Sequence, residues 1–418
     1  MFGEWNFKQD VSIKERNIMK KLLSLVAIFG LFVAFNAQAE DNYVLGGFEA
    51  SGHVVTGAGY QTLSKQGTAV GANDLNGNFP GVLGSYIDNS AAGTKSLMKK
   101  DHELLFFVDE VELDLSKTFG ENVRFRSDLD FGAAGTYSRS GLNGVSIEQA
   151  YTTANVPVGN GLEILLGRFN TPMGFEAVDT SDRDTISASG ILRAGLRPVN
   201  STGAKLYYAF SDMFDLHFYF INDLTHDSTV AEAGKRNVAA DEGSPAAGLR
   251  FGFTWGEEGS ENMVGVSAAA GNENAPGAAG KKLTYIGDLD FSLHFGDAFS
   301  LGGEVLYRTD GAPTGGVSAK YLAGLLNLNY DFSDVWDGTF KYGYTNDVKG
   351  TTATAGTANL LGGGAGGMKT HEISLATGYS IADGATFKVE AGYNTTKADG
   401  GVGTYAGYGV GGAFSYNF

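Results

Sequence analysis

The chain has no cysteine. That excludes a disulfide framework, a thiol nucleophile and a thiolate metal site. Proline is scarce, at 7 of 418 residues. Long apolar runs are missing too: none after residue 40 reaches the about 20 residues that a membrane-spanning helix needs. Positive charge is in deficit, with 30 Lys and Arg against 47 Asp and Glu and a net charge of −17. Such acidity argues against nucleic acid or anionic lipid as a partner. Catalytic motifs are also lacking. The six histidines are scattered at 53, 102, 217, 226, 294 and 371. His371-Glu372 lacks the second histidine of H-E-x-x-H, and no G-x-S-x-G elbow or P-loop occurs. The run from Gly362 to Gly367 has no helix start behind it to cradle a phosphate, so it reads as a loop tip. No cofactor and no enzyme activity are expected. A barrel hydrolase would need His and Ser paired across strands without any local motif.

What the chain does have begins near its amino end. Residues 1–18 are mixed and polar, without apolar periodicity. Met19-Lys20-Lys21 then opens an apolar run from Leu22 to Phe35, followed by Ala37-Gln38-Ala39. A basic start, a 14-residue apolar stretch and an A-x-A site read as a secretory signal peptide. Residues 1–18 are therefore expected to be a non-native extension, 19–39 the signal, and 40–418 the mature domain. Removing 1–39 takes five basic and three acidic residues, leaving −17 − 2 = −19. A mature membrane protein without long apolar helices has one remaining solution that pairs every backbone group in lipid, a closed β-barrel.

Period-2 alternation supports that solution. Sixteen stretches can be read as strands, from 46–61 through 103–119, 121–137, 144–157 and 161–169 to 403–418. Val123, Phe125, Leu129 and Phe131 alternate with Arg124, Arg126, Asp128 and Asp130. In the last stretch Tyr408, Val410, Phe414, Tyr416 and Phe418 alternate with glycines, Ala413, Ser415 and Asn417. Aromatics recur near strand ends, as in the interfacial girdles of an outer-membrane barrel. Connections after even-numbered strands are tight, while most of those after odd-numbered strands are long. The expected fold is an all-β transmembrane antiparallel barrel of 16 strands. Short periplasmic turns, long extracellular loops and a third long loop folded into the lumen complete it. Asp109 shares the parity of Val111, Leu113 and Leu115 and would face lipid, which predicts either a bulge near 108–110 or a rim position. Mixed parity at 144–157 and near Gly167-Arg168-Phe169 leaves those faces unassigned.

Two groups of charged residues follow as candidates. The third long connection, 170–199, carries Glu176, Asp179, Asp182, Arg183, Asp184, Arg193 and Arg197. Loops of that length are usually functional or disordered, and charge at a narrowing sets ion selectivity. This loop is expected to be a constriction with acids opposed to arginines. Asp179, Asp182 and Asp184 could instead hold Ca²⁺, although the D-x-D-x-D-G spacing is absent. The lumen wall is expected to carry Glu110, Glu112, Asp114, Arg124, Arg126, Asp128, Asp130, Asp288, Asp290, Glu304, Arg308, Lys388 and Glu390. Charges on strand faces pair across neighbours, and the acidic excess predicts a mild cation preference.

Gly167-Arg168-Phe169-Asn170-Thr171-Pro172-Met173-Gly174-Phe175-Glu176 resembles the "GRF.TP.G.E" segment of the putative β-barrel porin-2 family. Arg197-Pro198, the stretch from Thr202 to Asp212 and the stretch from Phe218 to Asn222 are similar to it as well. The likeness is best over about 105–225. It implies an outer-membrane pore, often trimeric, for small hydrophilic solutes in a Gram-negative-type bacterium. The Arg or Lys ladders of anion-selective relatives are not matched. The terminal Phe414, Tyr416 and Phe418 resemble the signal read by the barrel-assembly machinery. Outer-membrane lipid, lipopolysaccharide, that machinery and two further copies are thus the partners implied. The leading reading is a general diffusion porin; the alternatives are a substrate-selective channel and a plugged barrel whose loops engage partners. Deleting Phe418 is expected to lower the yield of folded barrel, read from heat-modifiable electrophoretic mobility, more than it lowers conductance. Normal assembly of the shortened chain would contradict the signal reading.

Overall fold

The structure, a computed structural model, describes residues 43–45, 47–66, 102–131, 145–224, 245–273, 282–311, 318–348, 368–398 and 403–418. The expected extension and signal (1–39) lie outside these residues, as does the glycine run after Leu361. The chain divides into two units between residues 44 and 45. Tyr43–Leu45 forms a three-residue strand.

Sixteen long strands make up the larger unit. They are β1 (Phe48–Gln66), β2 (His102–Phe119), β3 (Val123–Phe131), β4 (Val145–Val156), β5 (Leu162–Asn170), β6 (Asn200–Ala209), β7 (Phe214–Ile221) and β8 (Ala246–Trp255). Then come β9 (Asn262–Glu273), β10 (Lys282–Phe295), β11 (Phe299–Asp310), β12 (Ala319–Ser333), β13 (Trp336–Asp347), β14 (Met368–Ala382), β15 (Ala385–Ala398) and β16 (Gly403–Asn417). Each pairs antiparallel with the next. β16 pairs back onto β1, with Thr404 opposite Gln66 and Asn417 opposite His53. The result is a closed 16-strand antiparallel barrel, with no free edge left within that ring. The strand expected over 121–137 ends, among the described residues, at Phe131.

Side chains divide by parity. Leu104, Phe106, Val266, Leu375, Tyr408 and Val410 stand exposed on the outer face, Phe106 by 83%. A belt of this size is rare on a soluble monomer and fits contact with lipid. Aromatics cluster beside the short turns: Phe253 stacks on Trp255 at 4.9 Å, and Phe332 meets Trp336 at 4.8 Å. These turns join β2–β3, β4–β5 and so on by two to six residues, as expected for the periplasmic end.

The three irregularities in the alternation have local causes. Val55 pairs with Glu110 and Thr56 with Val108, so Asp109 is an inserted bulge residue. The bulge restores Glu110, Glu112 and Asp114 to the inner face. In β4 the register slips at Glu148, between Gln149 opposite Asp128 and Ile147 opposite Leu129. Arg168 Nε donates to the carbonyls of Ile147 and Glu148, at 2.9 and 3.0 Å, beside that slip. Gly167 sits at φ +140°, and a Cβ there would lie 2.2 Å from the Ala150 carbonyl oxygen. The Gly-Arg-Phe segment is thus a close strand approach, a bulge tether and a buried ring, Phe169 being 1% exposed.

The inner face departs from expectation in one respect: it is not uniformly polar. Tyr219, Ile221, Ile286, Leu306, Tyr321 and Leu325 are buried on it in one cluster with Met173, Ile191 and Leu196. Those last three belong to residues 171–199, which also hold α1 (Gly190–Arg193), a single turn capped by Ser189.

Candidate functional site

Residues 171–199 leave β5 and return to β6 through a closed neck. Thr171 N–H donates to the Val199 carbonyl at 2.8 Å, and its hydroxyl to that of Pro198. Between these ends the segment lies against the inner face of the barrel. Ile186, fully buried, packs with Val55, Phe107 and Ala413 of β1, β2 and β16. Ile191 and Leu196 pack with wall residues from β5 to β12. The Phe175 ring covers Gly302 of β11, where a Cβ would meet the ring at 2.1 Å. Burial of side chains such as these stabilises by about 1.5–3 kcal/mol each, before ordering costs.

Hydrogen bonds and ion pairs then fix the position of this loop on six strands. Glu110 of β2 accepts from Thr180 N–H at 2.8 Å. On β11, Glu304 accepts from Phe175 N–H at 2.5 Å and faces Arg197 Nε at 3.7 Å. Arg308 donates to the carbonyls of Gly195 and Leu196 at 3.2 and 3.3 Å. Asn327 of β12 donates to Asp184 at 2.5 Å. Lys341 of β13 donates to Thr185 Oγ1 at 2.5 Å and lies 3.6 Å from Glu176. Glu372 of β14 accepts from Gly190 N–H at 2.9 Å and pairs with Arg193. On β15, Lys388 donates to the Ser181 carbonyl at 3.0 Å, and Glu390 accepts from Ser187 N–H at 2.8 Å.

Most of the loop's expected selectivity charges are engaged in this seating. Glu176, Arg183 and Arg197 are buried. Glu176 takes Ser189 N–H on both oxygens at 2.9 Å. Arg183 donates to the Val178 carbonyl at 2.9 Å and to Thr180 Oγ1. Arg197 donates to the Glu176 carbonyl at 2.6 Å. The expected arrangement, loop acids opposed to loop arginines, therefore needs correction: Arg193 and Arg197 pair with wall acids, and Glu176 with a wall lysine. Asp182 and Asp184 are the two acids of the loop that are exposed.

Electrostatics separate the buried acids. Burial alone would raise the Glu176 pKa, but Lys341, Arg183 and the Ser189 hydrogen bonds outweigh it and hold the carboxyl below its ordinary 4.5. Asp179 goes the other way. Burial and the nearby charges of Glu148 and Glu110 push it up to about 10, so without a counter-cation it is neutral at pH 7.

The wall residues named from parity fall on two sides of the lumen. Asp288, Asp290, Glu304, Arg308, Lys388 and Glu390 are buried against the loop or one another, with Arg250 pairing Asp290 at 2.7 Å. Glu110, Glu112, Asp114, Arg124, Arg126, Asp128 and Asp130 line β2 and β3. There Arg126 pairs with Asp128 at 2.8 Å, while Arg124 is exposed. One oxygen each from Glu112, Asp130 and Glu148 lies within 4.8 Å of the others, an arrangement able to take a cation. Sequence reasoning missed Lys341, Glu372, Asn327 and Glu148. The first three have inward parity between outward neighbours and could have been found; Glu148 is hidden by its bulge. The terminal residues close the barrel: Gly52 and Phe418 exchange backbone hydrogen bonds at 3.0 Å, and Tyr416 stacks on Phe418. Phe414 faces outward.

A family model described as "Putative beta-barrel porin-2, OmpL-like" matches residues 78–412. No curated relative matches the sequence. Among solved structures, the outer-membrane OmpT of Vibrio cholerae is 12% identical, with a TM-score of 0.51 over 90% of this chain and 100% of that one. The anion-selective porin from Comamonas acidovorans is 15% identical, with 0.53 over 89% and 99%. Pseudomonas putida OprB is 10% identical, with 0.56 over 89% and 94%. At such identities the likeness is one of fold.

Replacing Lys341 by methionine leaves Glu176 buried beside an apolar chain, a loss of about 3 kcal/mol. Hydrogen exchange at the Ser187 to Gly190 amides should rise roughly hundredfold; no change would show that Lys341 does not seat the loop. In the wild type, Glu176 stabilises the loop above pH 4.5 and loses that contribution only as pH falls below it. Protection should therefore survive to pH 4.5.

Proposed function

The chain belongs to the family described as putative beta-barrel porin-2, OmpL-like, and from that premise we propose that it is a diffusion porin of the bacterial outer membrane. Small hydrophilic solutes and ions cross it passively. Residues 171–199 narrow the lumen, and the net selectivity is mildly for cations. One observation carries this reading: the loop is held against the inner wall from β11 to β15 and at β2, while Asp182 and Asp184 are left exposed. A loop fixed on so many strands cannot swing aside without exposing Ile186 and Ile191 and unpairing buried charge. Two exposed carboxylates beside the remaining aperture favour cations by simple electrostatics, weakened by salt.

The outer apolar belt meets outer-membrane lipid and lipopolysaccharide. Phe418 and its neighbours are what the assembly machinery would engage. A homotrimer is the proposed assembly; Vibrio cholerae OmpT, of the same fold, is described in a trimer form. The net charge of −17 speaks against nucleic acid as a partner. A substrate-selective channel stays as a variant of this reading. A second reading, a plugged barrel, is favoured by the dry packing of Ile191, Leu196 and Met173 on the β5–β12 wall. Planar-bilayer recording separates the two, because a plugged barrel passes no steady current.

Asp182→Asn with Asp184→Asn removes the exposed charge and leaves the tethers of Glu176, Arg193 and Arg197 in place. The cation-to-anion permeability ratio, taken from reversal potentials in an ion gradient, should fall toward one. An unchanged ratio would remove these two residues from the account of selectivity.

A further inference from the structure

The inner wall of β2, β3 and β4 gathers Glu112, Asp114, Asp128, Asp130 and Glu148 away from the main tethers of the loop. Ligand oxygens of Glu112, Asp130 and Glu148 all lie within 4.8 Å of one another, and so do those of Glu112, Asp114 and Asp128. Glu112 belongs to both sets. It is only 3% exposed, and its Oε2 is buried with no hydrogen-bond donor among the described residues. A carboxylate so placed, facing other carboxylates, is costly unless something positive meets it.

Neutral donors hold the neighbouring acids from one side. Ser146 donates to Asp130 Oδ2 at 3.1 Å, and Ser51 to Asp114 Oδ2 at 3.2 Å. Asn170 and Asn200 donate to Glu148 Oε1 at 3.0 and 3.1 Å. The opposite oxygens, Asp130 Oδ1 and Asp114 Oδ1, are buried without a hydrogen-bond donor among the described residues, as is Oδ1 of the loop residue Asp179. Two basic side chains stand near. Arg126 is bonded to Asp128 at 2.8 Å and reaches Asp114 only at 4.0 Å. His53 is 4.0 Å from Glu112 and engaged at 2.9 Å with Glu110. Neither bonds to Glu112 Oε2.

We propose that Glu112, Asp130 and Glu148 hold a divalent cation, Ca²⁺ in preference to Mg²⁺, with Asp114 and Asp179 adding oxygens from the wall and the loop. The donors are all carboxylate oxygens, the ligands of hard cations. Oxygens that all lie within 4.8 Å of one another can be bridged by one cation, and a site made wholly of protein carboxylates suits Ca²⁺, which takes six to eight oxygens in flexible geometry. Mg²⁺ demands a tighter octahedron and sheds water reluctantly. The loop triad Asp179, Asp182 and Asp184 is not the centre of this site, because Asp184 bonds to Asn327 and both Asp182 and Asp184 are exposed.

Isothermal titration of the full chain, folded in detergent, with CaCl₂ tests this. One site per chain is expected, with Kd at or below about 1 mM and weaker binding of MgCl₂. Glu112→Gln should weaken Ca²⁺ binding at least tenfold while heat-modifiable mobility shows a folded barrel. If that variant does not fold, Asp130→Asn and Asp179→Asn carry the same expectation. Absence of saturable Ca²⁺ binding by the wild type at millimolar concentration would overturn the proposal, leaving a shared proton to satisfy Glu112. Unchanged affinity in a folded variant would overturn it equally. The readout is binding, so a barrel that passes no current still answers the question.

Discussion

The ladder between Gly403–Asn417 and Phe48–Gln66 turns a sheet into a ring, and the other features follow from that closure. In lipid an unpaired strand edge is prohibitive, so the last strand has to meet the first in register. Once it does, every strand has an outside and an inside, and parity decides which side chain meets lipid and which meets the lumen. A ring of sixteen strands encloses more room than wall side chains alone can fill. That space is what the segment between β5 and β6 enters. Its hold on the wall is shared between apolar contacts and buried charge, and the two do different work. Ile186, Ile191, Leu192 and Leu196 are each at most 1% exposed, and their burial supplies most of the favourable free energy. Buried ion pairs contribute less, because desolvation offsets the attraction. What Glu176–Lys341, Glu372–Arg193 and Glu304–Arg197 provide is position: a slip of the loop would leave a charge buried and unpaired. Glu176, named for selectivity, thus acts as an anchor, and Asp182 and Asp184 are the loop acids left exposed.

Much of the fold was legible from alternation alone. Strand number and the tight turns follow from counting which side chain shares a face with which, and the misplaced charge of Asp109 marks an irregularity that the register resolves as a bulge. The lumen-wall residues could be read for the same reason, since parity is a local property. Other features depend on partners distant in sequence. Mixed parity over 144–157 marks an irregularity in β4 without placing it at Glu148, and Arg168 reads as a parity fault until the Ile147 and Glu148 carbonyls stand next to it. Nothing between residues 170 and 199 announces that Ile186 will meet Phe107 and Ala413, or that Gly190 will face Glu372. The inner apolar patch of Tyr219, Ile286 and Leu306 is likewise explained only by the loop that covers it.

The central claim is that the seated loop, and not the barrel wall, sets the width of the path. Single-channel conductance of the wild type against a variant in which residues 176–193 are replaced by a short Gly-Ser link tests this most directly. The account predicts a steady open current in the wild type and a severalfold larger one in the variant. Equal conductance in the two folded proteins would contradict it.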